Sequence, residues 1–211
     1  MGHVVASERA GNAPVARTGC AGIVLAAGAG TRYGRPKALA EGGAWLRAAV
    51  DALRDGGCAP VIVVLGATGP APETVGLPAG AVPVWAPDWA TGIGASLRAG
   101  LRAAARTPAR AVAIMPVDTP DVGADVVARV LAAERAAPSG LARAVFHDTP
   151  GHPVVIDHKH WTSVSAEAAG DSGARTYLSS RDDMVCVTCD DLATGRDRDF
   201  PASTHADRSG N

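Results

Sequence analysis

Aromatic side chains are scarce: 4% of 211 residues, as four Trp, two Tyr and two Phe. Most of the packing therefore falls to Ala, Val and Leu. No apolar run approaches the ~18 residues of a membrane span, and residues 1–18 lack a signal-peptide apolar region. Both absences predict a cytoplasmic protein with no membrane partner. The four cysteines, Cys20, Cys58, Cys186 and Cys189, are too few and too dispersed for a secreted disulfide framework. Cys186 and Cys189 have a metal-like spacing, yet Val185 to Thr188 reads as a strand, where residues three apart face opposite sides. They are expected to be ordinary strand-end cysteines. A net charge of −1 leaves no broad basic field, which argues against nucleic acid as a partner.

What is present is an apolar content of 47%, enough for a substantial core in one domain. The hydrophobic period alternates between strand and helix, as an α/β fold requires. Strands are expected at 21–25, 61–65 and 111–115, with weaker ones at 82–85, 143–146, 153–156 and 184–188. Pro83 either demotes the strand at 82–85 or places it on an edge. Helices are expected at 45–55, 95–106 and 121–136, with a short one at 174–180. Thr119 and Asp121 are the candidate caps of the helix at 121–136. Residues 1–18 read as a loose extension, 19–201 as the folded domain and 202–211 as a frayed tail.

One stretch says more than the rest. Residues 25 to 37 read Leu-Ala-Ala-Gly-Ala-Gly-Thr-Arg-Tyr-Gly-Arg-Pro-Lys. Ala27, Gly28, Ala29 and Gly30 let the backbone pass close to a ligand. Arg32, Arg35 and Lys37 then supply three cations, and Pro36 predicts that Lys37 projects from a stiff extended segment. Backbone N–H groups followed by such charges suit a polyphosphate. A Walker loop is excluded, because Pro36-Lys37-Ala38 offers no metal-binding hydroxyl. A dinucleotide fingerprint is excluded too. Glycines at 28, 30 and 34 are spaced one residue too widely, and a helical pattern occupies the place of the second strand.

A second landmark follows the strand at 111–115. Pro116-Val117-Asp118-Thr119-Pro120 presents a carboxylate just beyond the carboxyl end of a strand, where ligands bind in open α/β sheets.

The run at 25–37, with Asp118-Thr119-Pro120, resembles the MobA-like nucleotidyltransferase family, and within it the molybdenum cofactor cytidylyltransferase-like branch. The likeness runs from about residue 21 to 201, through Pro87 to Arg98, Gly151-His152-Pro153 and Gly170 to Arg175. It implies a single-domain three-layer α/β/α Rossmann-like fold with a mainly parallel sheet. The implied reaction carries a nucleoside monophosphate from a nucleoside triphosphate to a phosphate of molybdopterin, releasing pyrophosphate. Leu25, Ala26, Ala27, Gly28, Ala29, Gly30, Thr31, Arg32, Lys37 and Ser96 would bind the nucleotide. Arg32, Lys37 and Asp118 would carry catalysis. Mg2+ would sit on Asp118, where the family's preceding Gly is Val117, and on a second carboxylate near the C-terminus.

For that carboxylate the chain offers Asp197 and Asp199, two apart in Asp-Arg-Asp-Phe-Pro. Asp199 is favoured, and Asp190-Asp191 is the competing pair. His152 would face the acceptor. Leu-Ala-Ala-Gly at the start of the loop favours CTP over GTP. A molybdoenzyme or its chaperone is the implied protein partner. The alternatives are transfer to a sugar or polyol phosphate and, outside enzymes, a molybdenum cofactor carrier.

Overall fold

The computed structural model describes residues 16–199. The tail at 202–211 and residues 1–15 of the N-terminal extension lie outside them. Seven strands form one sheet in the order β3-β2-β1-β4-β6-β5-β7. They are β1 (Cys20–Leu25), β2 (Val61–Leu65), β3 (Ala81–Trp85), β4 (Ala111–Pro116), β5 (Leu141–Phe146), β6 (Thr149–Asp157) and β7 (Val185–Thr188). Only β6 runs against the others. The central strands β1, β2 and β4 are apolar almost end to end because both their faces are covered.

Helices α1 (Ala44–Asp55) and α3 (Ala124–Ala136) pack one face of the sheet, joining Leu46, Leu53, Val126 and Val130 to Val24, Val63 and Met115. On the other face lie α2 (Ile93–Ala104), α4 (Trp161–Glu167) and α5 (Arg175–Ser179), where Leu97, Leu101, Val164 and Leu178 meet Ile23, Ile62 and Ile114. Each large aliphatic side chain so buried contributes about 1.5–3 kcal/mol. The scarcity of aromatics is met by close approach. A Cβ on Gly100 of α2 would lie 2.8 Å from the Ile23 side chain of β1, so α2 rests almost directly on the strand. This is the three-layer, mainly parallel α/β fold that the sequence implies.

The chain builds β1, β2 and β3 in one direction and then places β4 on the far side of β1. That reversal opens a crevice at the carboxyl ends of β1 and β4, where a ligand can reach the sheet. The segments after both strands, 26–37 and 117–120, meet there.

Several expectations need correction. Helix α3 begins at Ala124 rather than Asp121, with Gly123 as its N-cap and no side-chain cap. Asp121 instead accepts hydrogen bonds from the Thr194 amide and hydroxyl and the Gly195 amide, and the buried Thr119 hydroxyl has no partner among the described residues. Lys37 does not extend from a stiff strand-like segment. It opens a 3-10 helix, Lys37–Gly43, immediately after Pro36. Helix α4 was not expected. Strand β6 starts four residues before the expected 153. Cys186 is exposed within β7, and Cys189, one residue past the end of that strand, is buried. Among the described residues no helix is long and apolar enough to cross a membrane.

Candidate active site

The loop after β1 is tied to the neighbouring strand. The Ala26 amide donates to Val64 O at 3.0 Å, and Ala27 O accepts from the Ala67 amide at 2.9 Å. Two glycines in it differ in kind. Gly30 has φ +61°, and a Cβ there would fall 2.0 Å from the Arg35 carbonyl, so the loop closes on itself only without a side chain. A Cβ on Gly28 would meet nothing within 4 Å. The loop's own packing therefore does not demand glycine at 28, and the backbone faces open space there.

Lys37 is the hub. Its ammonium donates to Asp118 Oδ2 at 2.7 Å and to Asp199 Oδ1 at 2.8 Å. Burial works against the charge, but those two carboxylates outweigh it and raise the pKa above the ordinary lysine value. Asp199 is held below the usual carboxylate range, chiefly by its hydrogen bond to Lys37. Arg32, largely exposed, reaches Asp199 Oδ2 at 3.0 Å. The Arg198 amide donates to Asp118 O at 2.9 Å, which fastens the C-terminal segment beside the β4 turn.

Asp118 has a second oxygen. Oδ1 is buried and has no hydrogen-bond partner among the described residues. An orphan carboxylate oxygen beside a second carboxylate suits a hard divalent cation. Among the described residues no group of three or more His, Cys, Asp or Glu is placed to hold a metal. Two carboxylates completed by water and phosphate oxygens fit Mg2+, which keeps much of its hydration shell.

Two cavities meet at this end of the sheet. The smaller, about 460 Å3, is lined by residues 25 to 33, Lys37, Trp89, Ser96, Asp118 and Asp199. Every residue expected to bind nucleotide or metal therefore lines this one cavity. The larger, about 920 Å3, holds His152, together with Arg143, Arg175 and Asp197. Leu25, Ile93 and Asp171 border both. The two C-terminal carboxylates are thus separated, Asp199 on the smaller cavity and Asp197 on the larger. Partial desolvation of its carboxyl, reinforced by Asp118, raises the Asp197 pKa although the residue as a whole is exposed. The competing pair is engaged elsewhere: Asp191 with Arg129 at 2.6 Å, Asp190 with the His147 amide at 2.6 Å.

His152 Nδ1 lies 3.3 Å from Ile114 O, so it carries the proton, assigned from that acceptor. Burial, joined by the charge of Arg143, pushes its pKa down to about 4, against the pull of the Ile114 carbonyl. His152 is therefore neutral at pH 7. Arg143 and Asp171 were not expected at the site, whereas the resemblance puts the Trp of the stretch Pro87 to Arg98 beside the nucleotide, and Trp89 lines the smaller cavity. A lone arginine in a weak strand gives no periodic signal, but Asp171 lies in a stretch the resemblance covers.

The fold and this end of the sheet define a nucleotidyltransferase-like enzyme. Residues 22–185 match the model of the MobA-like NTP transferase domain, and the chain belongs to that family. It is 37% identical over 192 residues to nicotine blue oxidoreductase of Paenarthrobacter nicotinovorans, covering 84% of this chain and 91% of that protein. Among solved structures it is similar to Rv0371c of Mycobacterium tuberculosis H37Rv, at a TM-score of 0.71 and 25% identity, over 88% of this chain and 94% of that one. A structure of Rv0371c in complex with manganese matches at a TM-score of 0.67 and 25% identity, over 82% and 89% of the two chains.

Proposed function

We propose that the enzyme transfers a nucleoside monophosphate, preferably from CTP, to the phosphate of a molybdopterin-type acceptor, with Mg2+ bound at Asp118 and Asp199. The observation that carries this reading is the junction itself. Lys37 and two carboxylates, one with an orphan oxygen, stand where a loop suited to phosphates meets a second, larger cavity. The smaller cavity takes the triphosphate against residues 25 to 32, with Ser96 on the facing helix. The larger takes the acceptor beside His152. Domain limits of 19–201 and a cytoplasmic setting, with a molybdoenzyme or its chaperone receiving the product, belong to the same reading.

An acceptor phosphate oxygen attacks the α-phosphorus in line, the bond to the β-phosphate oxygen breaks, and pyrophosphate leaves. When bound, the metal supplies charge neutralisation on the phosphate oxygens. The chain's own residues position and compensate charge. Asp118 and Asp199 would hold the metal, and Lys37, which bonds both carboxylates in this structure, would then offer its ammonium to the triphosphate. Arg32, exposed at the rim, stabilises the departing pyrophosphate. The acceptor phosphate is already ionised, so no general base is needed. The lean to CTP rests on Ala27, whose methyl beside the base is worth only about 1–3 kcal/mol of discrimination.

The name of the 37% identical relative, an oxidoreductase, favours a second reading, in which the reaction is a redox reaction. Thermal stabilisation separates the two, because tight binding raises the melting temperature by mass action. CTP with Mg2+ should stabilise more than GTP, ATP or UTP, and only when metal is present. Stabilisation by NADH or NADPH alone, without a metal requirement, would overturn the transferase reading.

A further inference from the structure

The larger cavity contains a charge that the transfer reaction leaves unused. Arg143 stands in β5 opposite Val154 of β6, on the sheet face covered by α2 and α5. Its Nη2 donates to Gly151 O at 3.4 Å, the long end of the hydrogen-bond range. Its Nε is buried with no partner among the described residues. Among the described residues no carboxylate lies within ion-pair distance of it. Asp171 and Asp197 border the same cavity, yet neither pairs with it.

Burial is the main influence that opposes the charge on Arg143, and Arg175, at the start of α5 and on the same cavity, adds a like charge that opposes it further. A guanidinium nevertheless stays protonated. A half-buried cation without a counter-charge is costly, so a purely structural role is poorly served by this arrangement. His152 on the neighbouring strand adds no competing positive charge, being neutral. Leu97 and Leu178 supply an apolar wall beside these groups.

We propose that Arg143, with Arg175 beside it, binds an anionic group of the acceptor. The acceptor is then an organic acid, a phosphate monoester or a carboxylate, whose apolar body lies against Leu97 and Leu178. A guanidinium fork matches either anion through two parallel N–H donors, which a lysine ammonium cannot reproduce. The word acceptor rests on the transferase reading; the anion site itself does not.

The test is titration calorimetry on the full chain with two probes, phenyl phosphate and benzoate. Wild type should bind one of them, and the preferred probe identifies the anion. Arg143→Gln should weaken that binding at least tenfold, and Arg143→Lys by a smaller factor. Binding of CTP with Mg2+ should change less than twofold in both. Thermal melts would show that the variants fold, as expected for a residue with one weak intramolecular bond. Equal probe affinity in wild type and Arg143→Gln overturns the proposal, as does binding of neither probe by wild type. Loss that follows Lys37→Met instead would place the anion in the loop and overturn it too. Should CTP fail to bind wild type while the probe still depends on Arg143, the transferase reading fails and the anion site stands.

Discussion

The two ends of the sheet use the same residue types to opposite purposes. At the amino end of β4, Arg110 meets Glu134 of α3 through both terminal nitrogens, at 2.8 and 2.6 Å, and also pairs with Asp157 at the end of β6. Glu134 is wholly buried. Its hydrogen bonds raise the Arg110 pKa against the cost of burial, so the strand and helix ends are stapled by matched charge. At the carboxyl end, Lys37 binds two carboxylates, while among the described residues Asp118 Oδ1 has no partner and Arg143 no carboxylate. Closed charge marks the part of the molecule that holds it together. Open charge marks the part that awaits something from outside.

The sharpest break of this contrast is Asp118→Asn. The amide keeps the shape and one oxygen but loses the negative charge that opposes a divalent cation. Turnover should vanish with little change in melting temperature, and titration calorimetry should show triphosphate binding that no longer responds to metal. The loss should exceed that of any single change at Asp197 or Asp199. Lys37→Ala should cost less, roughly 2.7–4 kcal/mol of transition-state stabilisation. An active, metal-dependent Asp118→Asn enzyme would move the metal to another carboxylate.

At the other end the same kind of change should act on stability. Glu134→Gln removes one partner of a buried pair, which costs about 3–5 kcal/mol when the survivor is fully enclosed. Arg110 is one-third exposed and keeps Asp157, so about 2–3 kcal/mol is expected in urea unfolding. Affinity for CTP with Mg2+ at 25 °C should stay within twofold. A large loss of affinity with full stability would erase the distinction between the ends.

What the sequence made legible follows the same divide between local and distant causes. Strands β1, β2 and β4 are readable within a residue because burial on both faces forces an apolar run. Strand β6 is half hidden, since Pro150, Gly151 and Pro153 interrupt its first part. Helix α4 buries only Trp161 and Val164, too few positions to show a period. Asp121 was misread because its partners, Thr194 and Gly195, lie over 70 residues away. The loop and Asp118 are legible, since each follows a strand directly. Arg143 is not, because what singles it out is the absence of a partner, and absence leaves no pattern in a sequence.

The smallest expected effect concerns His152, the neutral member of the open end. Burial holds its pKa near 4 in the folded chain, against about 6.5 when unfolded. Between those values the unfolded chain binds a proton that the folded chain refuses. Stability should therefore be intact above pH 6.5, fall as pH drops toward 4, and lose nothing more from this group below that. The residue keeps some exposure, so the loss should be about 1–2 kcal/mol rather than the full value of the shift. Carboxylates also titrate in this range, and the comparison must be with His152→Gln, which has no proton to gain. Urea unfolding at pH 7, 5.5 and 4.5 should give a shallower fall for the variant. Parallel curves for the two proteins would mean that His152 can take up its proton in the folded state, and that the larger cavity is wetter than its lining implies.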